Sequence, residues 1–263
     1  MQFAILASGS SGNSAYISAG GHSILLDAGI SCRQVCERLR ALGVNPADLE
    51  AICVSHDHGD HVAGVEVLSR KYNLPVYTTE GTYEATSACR RPDSPQWHII
   101  SAGNPFTVAG IRVTPFSTQH DAADSVGFVF EHDGARLGFA TDLGMVTSVV
   151  KHHLSGCRTL VFESNHDLEM LMNADRPWSV RERICGRRGH LSNEQCIEFL
   201  KELFANRDKT PPPRRLVLAH LSQECNSPNL VKNGVTALVK ACGVENEVEV
   251  YVASPESSPL FFV

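Results

Sequence analysis

No CxxC pair occurs among the nine cysteines, and an odd, scattered set argues against both a disulfide framework and a zinc ribbon. Reduced, mostly buried thiols are expected. No apolar run approaches the roughly 18 residues that a membrane-spanning helix needs. The start, MQFAILASGSSGN, lacks a basic region followed by a long apolar stretch. A cytoplasmic protein with no membrane partner is the expectation. Excess positive charge is missing too: the formal net charge is -6. The surface as a whole therefore does not attract nucleic acid or anionic lipid, and a polyanionic substrate must be drawn in by a local field. Nor is there a low-complexity linker. The Pro211 to Pro213 run reads as a loop before a strand, so the 263 residues are read as one domain.

What is present is a pattern met twice. Short β-branched runs at 3–8, 14–18 and 22–27, punctuated by Gly and Asn, predict an antiparallel meander. A helix is predicted from Ser31, with Gln34 at the capping-box position and Val35, Leu39 and Leu42 on its apolar face. A short buried strand at 51–55 follows, then a helical pattern, a strand through LPVYTT and a short helix over 80–89; residues 90–105 read as turns. A second strand-rich block covers 106–118, 126–133 and 135–141, with Asp133-Gly134 as a hairpin turn. It runs into helices near 143–154, 191–206 and 228–241 and strands near 158–164, 215–220 and 248–253. Two sheets face to face with helices outside are expected.

Ser55-His56-Asp57-His58-Gly59-Asp60-His61 places three imidazoles and two carboxylates in one loop just after a buried strand. At this composition H-x-H-x-D-H arises by chance in roughly one chain per thousand. Protonated, such imidazoles repel each other; a divalent metal removes that cost by binding their neutral forms. Alternate positions in an extended loop let His56 and His58 face one ion while Asp60 and His61 turn toward a neighbour. Further donors of the right type stand at predicted strand ends: His120, Asp142 and His220. Asp27, also ending a strand, suits a carboxylate that orients a ligand imidazole, and Glu163 lies at another strand end.

With the LLDAG run at Asp27, these features resemble the metallo-β-lactamase-fold hydrolases from the first residue to the last. The resemblance implies an α/β, four-layer αβ/βα sandwich. It implies one metal site of His56, His58 and His120, a second of Asp60, His61 and His220, and Asp142 bridging the two. Two divalent cations are implied, and the donor chemistry admits Zn²⁺, Mn²⁺ or Fe²⁺. Members of this fold cleave many substrates, so the fold alone names none. The opening ASGSSGN, the run Glu163-Ser164-Asn165-His166-Asp167 and the run Gly189-His190-Leu191-Ser192-Asn193 are most similar to the YycJ/WalJ-like subfamily, associated with 5′-to-3′ exonuclease action on double-stranded DNA. Phosphodiesterase members carry a similar Gly-His motif before the last ligand. That implies catalytic roles for His190 and His166 at the leaving oxygen, beside Asp60 and Asp142 at the metals and a metal-activated water. Only 77 residues separate Asp142 from His220, too few for the large inserted domain of RNase J-type relatives.

Substrate contacts are expected from Arg183, Arg187 and Arg188, in a stretch that is locally basic although the chain is acidic, and from Asn13 in the first turn. Trp178 offers a ring for base stacking, and packing explains it as readily. DNA is the expected partner, with RNA open. The rivals are a small-molecule ester, thioester or cyclic phosphodiester hydrolase on the same metals, which has no need of the arginines, and a non-catalytic metal-bound regulatory module.

Overall fold

The computed structural model describes residues 1–86, 96–206 and 209–263. Its first half runs β1 (Gln2–Ala7), β2 (Ser14–Ala19), β3 (His22–Leu26), α1 (Cys32–Ala41), a 3-10 turn, β4 (Ala51–Cys53), α2 (Gly59–Val62), α3 (Val65–Tyr72), β5 (Val76–Thr79), α4 (Glu80–Thr86) and β6 (Trp97–Ile100). The second half follows with β7 (Phe106–Val108), β8 (Ile111–Ser117), β9 (Val126–His132), β10 (Ala135–Ala140), α5 (Ser148–Leu154) and β11 (Thr159–Glu163). It continues through α6 (Leu168–Asn173), α7 (Trp178–Cys185), α8 (Asn193–Ala205), β12 (Arg215–Ala219), α9 (Pro228–Ala241), β13 (Glu249–Val252) and β14 (Phe261–Phe262).

Two seven-stranded sheets result, ordered β14-β1-β2-β3-β4-β5-β6 and β13-β12-β11-β10-β9-β8-β7. In each, an antiparallel meander hands over to parallel strands, at β3–β4 in one and β10–β11 in the other. The handover follows from the connections: hairpin turns such as Asp133-Gly134, both with positive φ, reverse the chain, whereas the helices α1 and α5 carry it across to a parallel neighbour. Strand alternation then sorts side chains into layers. Phe3, Ile5, Ile17 and Ile24 meet Val113, Phe128, Phe130 and Val161 between the sheets. Leu25, Ile52 and Val54 face Val35, Leu39 and Leu68 on one outer side. Leu160, Phe162 and Leu216 face Leu154, Phe199 and Val235 on the other. Because β4 and β11 are covered on both faces, they read as continuous apolar runs. At roughly 25 cal/mol per Å² of buried apolar surface, these three layers supply the main drive to fold.

The Ser31 cap of α1, with its reciprocal Gln34 bond, is present as expected. Two expectations are corrected. Residues 90–105 are not all turn: Trp97–Ile100 pairs in parallel with β5, a short edge strand hidden among Pro, Ser and Gly. The helix expected over 143–154 starts only at Ser148, capped by Thr147, since Gly144 is drawn to the Gln119 carbonyl instead. The helix expected over 80–89 is observed to Thr86, and the rest lies outside the described residues. Three helices, α2, α6 and α7, and strand β14 were not anticipated. Among the described residues none of the eight cysteines is in a disulfide and six are buried, and no helix is long and apolar enough to cross a membrane.

Candidate metal centre

Strand ends build the site. His56, His58 and His61 follow β4, His120 follows β8, His220 follows β12, and His190 lies just before α8. Their rings form a near-continuous rim, with centroids 4.0 Å apart for His56 and His61, 4.9 Å for His58 and His120, 5.0 Å for His120 and His190, and 5.1 Å for His190 and His220. Asp27, Asp142 and His220 each adopt positive φ just past a strand, at 56°, 58° and 58°. That left-handed step redirects the chain at the strand end, and Asp and His tolerate it better than branched residues.

The loop carrying the motif is extended as far as His58, whose φ and ψ are -65° and 145°. From Gly59 it becomes the single helical turn α2, so Asp60 and His61 reach the neighbouring position by helical geometry rather than by alternation along an extended loop. Gly29 explains how tightly that turn is held. A Cβ there would lie 1.6 Å from the Asp60 carbonyl oxygen, so only glycine lets the two segments meet. Asp57, the other carboxylate of the motif, accepts the Ala123 N–H at 3.0 Å and serves the adjoining loop.

All seven expected ligands come together. The donor atoms of His56, His58 and His120 lie within 4.8 Å of one another, as do those of Asp60, His61 and His220. Asp142 stands between them, with Oδ2 3.3 Å from His61 Nε2 and Oδ1 3.4 Å from His220 Nε2 and 3.9 Å from His120 Nε2. Burial, with His61 alongside, lowers the His56 imidazole well below its ordinary range and leaves it neutral. Burial opposes ionisation of Asp142, yet His220 and His61 beside it hold its carboxyl well below the usual range.

His56 Nε2, His220 Nε2 and Asp142 Oδ2 are buried and have no hydrogen-bond partner among the described residues. Unsatisfied buried polar atoms cost about 1–3 kcal/mol each. Imidazole nitrogens and carboxylate oxygens are the donors that divalent transition metals take, and metal bound at these donor groups would satisfy the orphans. The residues present therefore fit bound divalent metal.

Glu163 is fully buried beneath this rim. Its Oε1 accepts from His190 Nδ1 at 2.9 Å, His220 Nδ1 at 3.0 Å and the Asp142 N–H at 3.2 Å; Oε2 accepts the N–H groups of Leu191 at 2.9 Å and Leu143 at 3.2 Å. Burial raises the carboxyl, but His190 and His220 outweigh it and bring it down to about 2. Asp27 does the same for His61: its Oδ2 accepts from Nδ1 at 2.8 Å, while Ser55 donates to it from N and Oγ. Both ligand imidazoles are thus held by Nδ1, leaving Nε2 for the cluster.

Burial would lower His220, but Asp142, Asp60 and Glu163 push it up to about 10. Its stabilising charge is fully present below the ordinary 6.5 and is lost as pH rises toward 10. Glu163 contributes in the opposite sense, above 4.5 and losing that only as pH falls toward 2. Metal uptake at about pH 7.5 is therefore expected to expel a proton from His220, so that calorimetric binding heats scale with the ionisation enthalpy of the buffer. Heats independent of the buffer would show His220 already neutral. The metal-free protein should also lose melting temperature between pH 6.5 and 10.

The remaining expected residues fall in different places. His166 is 1% exposed, its Nδ1 lies 3.4 Å from Asn165 Oδ1, and it joins none of the donor groups. Asn13, expected at the substrate, is buried, and its amide is directed at Asp60 and His61. Arg183 pairs with Asp121, and Arg188 donates to the carbonyls of His120 at 3.0 Å and Ala122 at 3.4 Å. The basic segment is thus attached to the rim at His120, whose Nδ1 also donates to the Gly189 carbonyl at 3.0 Å. Arg187 is exposed and has no hydrogen bond or ion pair among the described residues. Trp178 is 61% exposed, with the Arg181 guanidinium 5.5 Å from its ring centroid. Asp121 was missed: it lies 3.4 Å from His120 Nε2 and 3.9 Å from His58 Nε2, and its position next to His120 in the chain was the available signal. Ser8, which accepts the His220 N–H at 2.8 Å, and Ser55 were missed as well, both from runs already singled out as motifs.

Residues 22–221 match the family model of the beta-lactamase superfamily domain. The chain is 34% identical to exodeoxyribonuclease YycJ of Bacillus anthracis over 97% of its length and 96% of the relative's. To exodeoxyribonuclease WalJ of Streptococcus pneumoniae it is 34% identical over 98% and 96%. The metallo-beta-lactamase fold protein YhfI of Bacillus subtilis superposes with a TM-score of 0.73 at 16% identity, covering all of both chains. Sheet order, donor set and these likenesses agree: the chain belongs to the beta-lactamase superfamily, beside the YycJ and WalJ exodeoxyribonucleases, and is a metal-dependent hydrolase of the metallo-β-lactamase fold.

Proposed function

We propose that this chain is a two-cation phosphodiesterase that degrades DNA exonucleolytically from 5′ ends, and that residues 1–263 form one domain without an inserted nucleic-acid-binding unit. The observation that carries the reading is His190. It stands on the rim beside ligands of both donor groups, its ring centroid 5.0 Å from that of His120 and 5.1 Å from that of His220, one-fifth exposed, with Nδ1 tied to Glu163. A hydrolase acting only through its metals has no need of an eighth oriented side chain there. The relatives named exodeoxyribonucleases support the substrate class, and the subfamily resemblance supports the direction.

Two bound cations, Zn²⁺ or Mn²⁺ on this donor set, supply Lewis acidity and lower the pKa of water from 15.7 toward about 7. The chain's own residues do the rest. Asp142 and Asp60 bring the negative charge that holds two cations side by side. Glu163 accepts the Nδ1 proton of His190, so Nε2 is the nitrogen that exchanges a proton with the leaving oxygen. Arg187, exposed and unpaired among the described residues, is the arginine best placed to meet a phosphate. Arg183 and Arg188 act instead by fixing the segment against Asp121 and His120.

The test is a product ladder. Metal-quantified protein with end-labelled DNA and RNA, single and double stranded, should shorten DNA progressively from its 5′ end. RNA-only cleavage, shortening from the 3′ end, or thioester turnover with intact DNA each overturns the assignment.

A further inference from the structure

The turn between β1 and β2, residues 8–13, touches every member of the second donor group. Asn13 Nδ2 donates to Asp60 Oδ2 at 3.1 Å and lies 3.0 Å from His61 Nε2, and the Asn13 backbone N–H donates to the Asp60 carbonyl at 2.7 Å. Ser8 Oγ accepts the His220 N–H at 2.8 Å. Among the described residues the same turn makes no hydrogen bond to His56, His58 or His120. The turn is itself fixed: the Gly9 N–H donates to Asn13 Oδ1 at 2.9 Å, and the Asn13 carbonyl accepts from Gly29 at 2.8 Å.

We propose that Asn13 and Ser8 are positioning residues for the second cation, so that this turn sets the occupancy of the Asp60, His61 and His220 group independently of the other. The inference rests on the two-cation reading above. Its physical basis is that the Asn13 amide faces the two donor atoms a cation would take. Asp27 accepts at His61 Nδ1, which directs Nε2 into the cluster and sets it 3.0 Å from the Asn13 amide nitrogen. Without metal, Asn13 holds Asp60 Oδ2 and His61 Nε2 converged. When a cation takes those atoms, the amide keeps the carbonyls of Gly9 at 3.1 Å and Asp60 at 3.4 Å. A buried amide is thereby never left unsatisfied, and the two ligands need no rearrangement on binding. Groups that orient metal ligands in this way typically govern roughly 10–100-fold of metal affinity.

The test measures metal, not turnover. Zn²⁺ is titrated into metal-free protein against a competing chelator, and bound equivalents are read by mass spectrometry. In a His120→Ala background, where the first group is broken, Asn13→Ala should weaken the remaining affinity by roughly 10–100-fold. In a His220→Ala background, where the second group is broken, it should change nothing. Should Asn13→Ala unfold the turn, Ser8→Ala gives the same split, and Ser8→Thr, which keeps the hydroxyl, restores wild-type affinity. Equal losses in both backgrounds, or none in the first, overturn the proposal. A wild-type chain that takes up only one cation overturns this and the two-cation reading together, whereas two cations without DNA cleavage overturn the nuclease reading alone.

Discussion

Asp142→Ala should abolish phosphodiesterase activity and leave the protein unable to hold its full metal complement. The reason is positional. Asp142 is the carboxylate that faces both donor groups, touching His61 and His220 on one side and His120 on the other, and it is 2% exposed. Removing it leaves two cations, or the imidazolium of His220, with less buried negative charge to balance them. Truncating one partner of a buried charge pair costs about 3–5 kcal/mol. Metal content and turnover should therefore fall together. Asp142→Asn, which keeps the shape and loses the charge, should fall almost as far. Two full equivalents of metal in either variant would remove Asp142 from the bridging position.

His190→Ala is expected to separate what Asp142→Ala joins: both cations retained, turnover reduced by roughly 10²–10⁴. The structure makes this a clean substitution. Glu163 loses one donor and keeps His220 Nδ1 together with the N–H groups of Asp142, Leu143 and Leu191, so it stays satisfied and the second donor group keeps its support. Glu163→Ala is the opposite case, since it deprives five donors at once and should cost stability as well as activity. Full DNA cleavage by His190→Ala with normal metal content would show that His190 transfers no proton.

How much of this was legible in the chain depends on locality. The ligand loop, the Ser31 cap and the Asp133-Gly134 hairpin were readable because their chemistry lies within a few neighbours. His120, Asp142 and His220 were readable because each follows an apolar run that had to be a buried strand. The failures share one cause as well. Helix α7 buries no residue, so no apolar period marks it, and β14 is two residues long and exists because β1 offers an edge 260 positions away in sequence. Within the site, Asn13 sat in a Ser- and Gly-rich turn whose composition says only that the chain bends. Its direction toward Asp60 and His61 arises from the packing of Gly29 against the Asp60 carbonyl, a contact between segments that no local pattern encodes. The basic segment misled by residue type: three arginines looked equivalent, but Arg183 and Arg188 are spent on Asp121 and on backbone carbonyls, and Arg187 alone of the three is unpaired among the described residues.

The measurement that bears most directly on a two-cation nuclease is a stepwise metal titration of the metal-free chain, with bound equivalents and DNA cleavage read on the same samples. Cleavage should stay near background through the first equivalent, rise as the second is taken up and level off at two per chain. Cleavage that is complete without metal, or that never appears although two equivalents are bound, would contradict it.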